Sequence, residues 1–323
     1  MTEDVSYRDC GSCSAPDAAV KCTCQLTHYC DIECQRKDMN SHRKSCTYLL
    51  NKDISTLCRE LQELKVQHNC SAHDVSATED ELAGLHSVVG RLHVNSLLAS
   101  NYPFVENHHK QALKIYRRLA ARDSTEASHI VNSVIALMDL GFLYSAWQRE
   151  CRALEAYENA LGSLRDVMSA HGSTLLRQET LAELLANQGE VYKQQYEDQG
   201  SGPDKSKCHA AQALGEEALA IHRTLNALAD ELALDNTAEP QQTLKQDHRQ
   251  ERTASVLLLV ARTYENLDIF DEARSAVREA LELRSLCHGN ENVKVADCYG
   301  EMGTICSLQG VPVANLMLLT LHC

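Results

Sequence analysis

Apolar residues recur every three or four positions over most of this chain, and the first 46 residues lack that rhythm. Residues 47–66 carry Leu50, Ile54, Leu57, Leu61 and Leu64 on one stripe, which predicts a helix. A polar break follows at 67–76. Thr78-x2-Glu81 then reads as a capping box opening the next helix, whose apolar face takes Leu82, Leu85, Val89 and Leu92.

From about residue 94 the periodic segments come in pairs and the pairs are alike. Leu140-Gly141-x2-Tyr144 is followed by Ala153-x3-Tyr157-x2-Ala160. Val260-Ala261-x2-Tyr264 is followed by Ala273-x3-Val277-x2-Ala280, and in both units nine positions separate the Tyr from the first Ala. Gln188-Gly189-x2-Tyr192 leads to Ala211-x3-Gly215-x2-Ala218 at a distance of nineteen, so this unit carries ten extra residues. They fall at 196–207, rich in Gly, Asp and Ser with Pro203, which predicts a loop. An earlier unit ends in Ala112-x3-Tyr116-x2-Leu119, and a partial last one begins Met302-Gly303-x2-Cys306. Small residues at fixed places let two helices approach closely. One such hairpin cannot bury its own apolar face, so it must stack on neighbours. Pro103, Pro203, Pro240 and Pro312 are expected between helices, where a missing N–H does least damage.

Composition narrows the picture. The chain has 323 residues, with 14 Gly and 5 Pro, a bias toward helix over sheet. Asp and Glu total 45 against 31 Lys and Arg, a formal charge of −14. That balance argues against nucleic acid and for protein or peptide partners that are basic or mixed in charge. No stretch approaches the ~18 uninterrupted apolar residues of a membrane span, so no membrane association is expected. The acidic start, Met1-Thr2-Glu3-Asp4, is not followed by the apolar run of a secretory signal. An intracellular location, cytoplasmic and/or nuclear, is therefore expected. Oligomeric state is left open.

The cysteines change the reading of the N-terminus. Seven of fifteen lie in the first 46 residues: Cys10-x2-Cys13, Cys22-x-Cys24, Cys30-x3-Cys34, and Cys46 in His42-x3-Cys46. In a reducing compartment such a cluster reads as metal rather than disulfide. Seven Cys and one His in four pairs suit two tetrahedral zinc ions with no open coordination position, hence structural rather than catalytic sites. No His-Glu-x2-His motif, phosphate-binding glycine loop or nucleophile elbow occurs elsewhere. Cys58, Cys70, Cys151, Cys208, Cys287, Cys298, Cys306 and Cys323 lack metal spacing and are expected to be small packing residues. His28, His108 and His109 are read as ordinary surface or core histidines. Residues 1–50 carry six basic and seven acidic residues, so −13 of the charge belongs to the helical remainder.

Residues 10–46 resemble a MYND-type zinc finger, most specifically in Tyr29-Cys30-Asp31-Ile32-Glu33-Cys34-Gln35 and in the distances to His42 and Cys46. The resemblance implies a cross-braced pair of zinc ions, two per chain. One would take Cys10, Cys13, Cys30 and Cys34, the other Cys22, Cys24, His42 and Cys46. Two positions depart from the family: the second pair is Cys-x-Cys rather than Cys-x2-Cys, and Met39 stands where the family usually has Trp. The paired helices resemble tetratricopeptide (TPR) repeats. Their period exceeds the usual ~34 residues, with 48 from Tyr144 to Tyr192 and 42 from Tyr264 to Cys306, similar to the subclass of kinesin light chain and nephrocystin.

The expected fold is therefore mostly α: a small cross-braced two-zinc finger followed by an α-solenoid of TPR-like hairpins. The expected domains are a finger at 1–48, a helical connection at 49–93 and the solenoid at 94–323. Clear repeat units fall near 130–165, 180–225 and 253–285, with a partial one at 295–323. The expected function is a non-enzymatic, zinc-binding scaffold that holds protein partners through the finger and the TPR groove. A transcriptional co-regulator recruited through the finger and a motor- or cilium-linked cargo adaptor are the two alternatives. A SET-type methyltransferase is not expected, because its Asn-His-Ser-Cys segment is missing. A chaperone-tail clamp is not expected either, because Met138, Phe142, Ala186, Glu190 and Leu259 are not clamp residues.

Overall fold

The computed structural model describes residues 20–21, 28–29, 54–63, 72–94, 102–123, 126–198, 204–234 and 240–310. Two short strands, β1 (Val20–Lys21) and β2 (His28–Tyr29), pair antiparallel with Val20 opposite Tyr29. Helix α1 covers 54–63. Nine further described helices follow: α2 (Ala72–Val94), α3 (Tyr102–Arg122), α4 (Ala127–Ala146), α5 (Glu150–His171), α6 (Leu175–Glu197), α7 (Lys205–Leu234), α8 (Pro240–Asn266), α9 (Phe270–His288) and α10 (Val293–Leu308). The chain divides into two compact units at Leu143/Tyr144, within α4.

In the first unit α1 buries Ile54, Leu57 and Leu61, the stripe read from sequence. Helix α2 begins six residues before Thr78, so the expected capping box lies inside the helix. The Thr78 hydroxyl instead donates back to the Asp74 carbonyl at 2.9 Å. Pro103 and Pro240 are likewise not between helices. They occupy the first turn of α3 and the first residue of α8, where an absent N–H leaves no bond unmade.

Helices α2 and α3 pack face to face. Glu79 of α2 is fully buried and pairs with Arg118 (2.9 Å) and Arg122 (2.6 Å) of α3. Further along the same contact, a Cβ at Gly90 would sit 2.5 Å from the His109 ring, so only glycine lets the buried imidazole lie there. His109 also approaches Asp139 of α4 at 3.5 Å, and Arg91 pairs with Asp139 at 2.9 Å. Beside it His86 and His108 share a hydrogen bond between their Nδ1 atoms at 2.9 Å.

Burial, reinforced by the Arg91 charge, holds His109 at about 4, well below its ordinary 6.5. The folded state thus prefers the neutral ring. The resulting stability is complete above pH 6.5 and is lost as the pH falls toward 4, at most about 3 kcal/mol. His86, lowered by burial, acts in the same sense. Asp139, raised by burial against the pull of Arg91, acts in the opposite sense. With two histidines against one carboxyl, acidification from pH 7.5 to 4.5 is expected to loosen α2 and α3. Hydrogen exchange of their amides checks this, and protection independent of pH would contradict it.

Helix α4 is apolar enough, by length and composition, to cross a membrane, but more than half of it is buried inside the fold, as in a core helix.

The second unit is a stack of helical hairpins. Two of its turns are built alike, one repeat unit following Tyr144 and the other Tyr264. The fourth residue on, Gln148 or Asp268, takes a left-handed φ (54° and 64°), and the N–H of the fifth, Arg149 or Ile269, returns to the Tyr carbonyl at 2.8 Å. The α5 and α9 exits also match: each helix ends in His followed by a glycine at φ 74° (Gly172, Gly289). Each next helix is capped by a side chain, Thr174 to the Arg177 N–H and Asn292 to the Lys294 N–H.

The small positions read from sequence are where neighbours touch. Ala153, Ala160, Ala211, Ala218, Ala273 and Ala280 are fully buried. A Cβ at Gly189 would meet the Ala211 carbonyl and Leu259 at 3.2 Å. One at Gly215 would meet Val260 at 2.8 Å. Gly215→Ala is therefore expected to cost about 1–3 kcal/mol through overpacking of α7 on α8, although alanine is the better helix former. Urea denaturation checks this, and a neutral or stabilising result would contradict the close approach. One continuous core runs through α6 to α10, built on Leu185, Leu257, Val260, Val277, Met302 and Ile305.

Candidate functional site

The eight proposed zinc ligands, Cys10, Cys13, Cys22, Cys24, Cys30, Cys34, His42 and Cys46, lie outside the described residues. What is described is the hairpin threaded between them. Cys22 and Cys24 belong to the 22–27 connection that joins β1 to β2, and Cys30 follows β2 directly at the other end. In sequence β2 thus lies between the Cys22/Cys24 pair and the Cys30/Cys34 pair. Met39 also lies outside the described residues.

Among the described residues no group of three or more His, Cys, Asp or Glu is placed to hold a metal. Cys208, Cys298 and Cys306 are buried and Cys58 and Cys287 partly so, the packing role expected of them, while Cys151 is exposed. Burial, with the Glu197 charge, pushes the Cys208 thiol up to about 11, and burial likewise raises Cys287 and Cys298. These thiols are protonated and chemically quiet. His108 and His109 are both core residues. Trp147 sits in the α4–α5 turn with the Arg149 guanidinium 4.5 Å from its ring centre.

The second unit carries two surfaces that sequence reading did not find. The first is the seam along α6, α8 and α10. Contacts between α6 and α8 keep a nearly constant sequence offset: Glu179 with Arg249 (2.8 Å), Gly189 against Leu259, and Tyr196 with the Asn266 carbonyl (3.1 Å). The two helices are therefore parallel, as are α8 and α10, joined by Glu251–Lys294 (3.0 Å) and Arg262–Glu301. Parallel helices align like ends, and here the ends differ in charge. Toward the starts of α6, α8 and α10, with the C-terminal part of α9 beside them, ion pairs gather Arg249, Arg252 and Lys294, and Arg284 of α9, around Glu179 and Glu251. Near the helix ends, Glu190, Glu197, Glu265 and Glu301 outnumber Lys193 and Arg262.

The protonation equilibria follow this division. Against the upward pull of burial, hydrogen bonds from Lys294 and His288 and the Arg284 charge hold Glu251 below its ordinary range. Burial, then the Glu301 and Glu197 charges, raises Glu265 despite Arg262 and Lys193. At the basic end, exposed Leu175 and Leu176 line a depression of about 500 Å³ with Glu179, His248, Arg249 and Arg252.

The second surface is a cleft of about 280 Å³ between α7 and α9, floored by Leu219, Leu257 and Val260. The Tyr264 hydroxyl donates to Glu216 at 2.7 Å, and burial together with that carboxylate raises the phenol to about 12. Neither surface has a signature in one local window. Both arise from residues some 40–70 positions apart, and only the repeat offset could have aligned them.

Residues 10–46 match the MYND finger family. No curated protein matches the chain. Among solved structures it resembles BtubC (BKLC) from P. vanneervenii, at 19% identity and a TM-score of 0.52, covering 81% of this chain and 85% of that one. It is also aligned with the apo form of RapI, at 12% identity and a TM-score of 0.28, covering 83% and 74%. The chain thus joins a MYND finger to a TPR-like helical-repeat array, and the likeness to BtubC is one of fold.

Proposed function

We propose that the protein is a non-catalytic scaffold that holds protein partners through two modules, a zinc-stabilised finger and a helical-repeat surface. The observation that carries this reading is the coexistence on one chain of a MYND finger and a TPR-like array, both of them interaction modules. In the finger, Cys10, Cys13, Cys30 and Cys34 hold one zinc and Cys22, Cys24, His42 and Cys46 hold the other. Zinc supplies the core that a segment of this size cannot bury for itself. Two modules on one chain raise affinity for a partner, or a pair of partners, by effective concentration. The reduced thiols suit an intracellular location, in cytoplasm or nucleus.

The −13 of the helical part favours basic or mixed partners at long range. The bipolar seam favours a segment that carries both signs. Affinity purification with the full chain and with its Cys24→Ser and Arg249→Glu/Arg252→Glu variants tests the reading. Each lesion is expected to lose a distinct set of partners. Identical partner sets for all three would exclude a two-module scaffold.

A further inference from the structure

We propose that the cleft between α7 and α9 is a receptor for a basic side chain, arginine or lysine, presented by a partner protein next to an apolar residue. This rests on the scaffold reading and adds to it a second docking surface with stated chemistry, distinct from the α6–α8–α10 seam.

Arg223 of α7 reaches across the cleft to Glu279 of α9, 56 positions later, at 2.6 Å. Two helical turns earlier on both helices the same offset sets Glu216 against Glu272. One rung is therefore an ion pair and the equivalent rung is two carboxylates. Among the described residues no Lys or Arg pairs with either: Glu216 accepts only from the neutral Tyr264 (2.7 Å) and Gln212 (2.8 Å). Glu272 and Glu216 are both exposed. The second rung lacks the cation that the first one has.

Between the rungs the walls are small, Ala220 on α7 with Ser275 and Ala276 on α9, so the two helices do not close over the floor. That floor is apolar and belongs to the core: Leu219, Leu257 and Val260 are all nearly buried. Its volume, about 280 Å³, is at the lower edge of the ~300–1,000 Å³ of small-molecule sites. It suits an amino-acid side chain rather than a cofactor. An arginine or lysine fits both parts at once. Its aliphatic stem lies on Leu257 and Val260, and its charged head stands between Glu216 and Glu272 as the Arg223 guanidinium stands beside Glu279. An acidic side chain would add a third carboxylate to the rung, and a neutral one would supply no cation.

The test uses the full-length protein and seven-residue labelled peptides that vary only at the centre, Arg, Lys, Gln or Glu, between leucines. Fluorescence anisotropy is expected to rank Arg and Lys at least about tenfold above Glu, with a preference that weakens in salt. Glu216→Gln/Glu272→Gln, isosteric changes at exposed sites, should erase the ranking, whereas Glu183→Gln on α6 should not. Glu272→Arg should fill the rung from within, abolish binding of the basic peptides and raise the melting temperature by about 1–3 °C. An unchanged ranking in the double glutamine variant, or basic peptides still bound by Glu272→Arg, would overturn the proposal. If every partner purified with the full chain persists in the double glutamine variant, the cleft falls and the scaffold stands. If basic peptides bind the cleft but the full chain purifies with no partner, the scaffold falls and the cleft stands.

Discussion

Replacing Arg118 and Arg122 together by methionine is expected to destabilise the first unit by about 3–5 kcal/mol. Both guanidiniums bind Glu79, whose side chain is wholly removed from solvent, while they themselves are nearly half exposed. The asymmetry decides which lesion is worse. Removing the arginines leaves a carboxylate in the α2–α3 interface without its two cations, and the desolvation cost remains uncompensated. Removing Glu79 instead frees two arginines that can turn to water. The triple variant that adds Glu79→Met should therefore recover most of the loss, since an apolar group in place of a buried charge is often neutral or better. Amide hydrogen exchange in α2 and α3, compared across wild type, the double and the triple variant, reads the effect where it occurs. A triple variant no more protected than the double would show that the lost stability came from arginine packing on the helix surface.

Removing zinc is expected to produce the second large effect, confined to the finger. Apparent binding free energies for structural zinc in finger peptides reach about 10–16 kcal/mol at neutral pH. Chelation should therefore unfold residues 10–46 outright. Native mass spectrometry of the full chain is expected to show two zinc ions. A cross-brace couples the two sites, so Cys24→Ser should reduce the zinc content and expose the remaining thiols to alkylation. A single zinc in the wild type would contradict the assignment of eight ligands. The helical circular dichroism should survive in every case, because α2 packs on α3 in the first unit and α5 to α10 pack in succession in the second, through apolar and alanine contacts without metal. Loss of helix on chelation would mean that the finger is part of the helical core.

Much of this was legible from sequence because it is local. The Tyr-to-Ala spacing of nine recurs in two units, and in both the structure places the same three-residue turn with the same hydrogen bond, from Arg149 and Ile269. The alanine and glycine positions were legible for the same reason: a residue that must be small to admit a neighbour leaves its mark at a fixed step. Local signals also misled. Thr78-x2-Glu81 has the letters of a helix start, but Ala72–Ala77 continue the helix ahead of it. Pro103 and Pro240 looked like breaks because proline ends helices as readily as it begins them. The long-range features could not be read. Glu79 looks like one acidic residue among 45, and its burial depends on arginines some forty positions away. Net charge was the least informative quantity for the seam, since a sum over the chain hides a surface with one basic and one acidic end.

The matched turns after Tyr144 and Tyr264 have one more implication. In the second unit each hairpin is tied to the next through contacts such as α5 on α6 and α7 on α8, and no single described element holds all of them. Such an array is a mechanical series. Pulled at its ends it yields hairpin by hairpin, each step adding length while the remaining hairpins keep their grip. A link of this kind between two partners extends under load before it lets go.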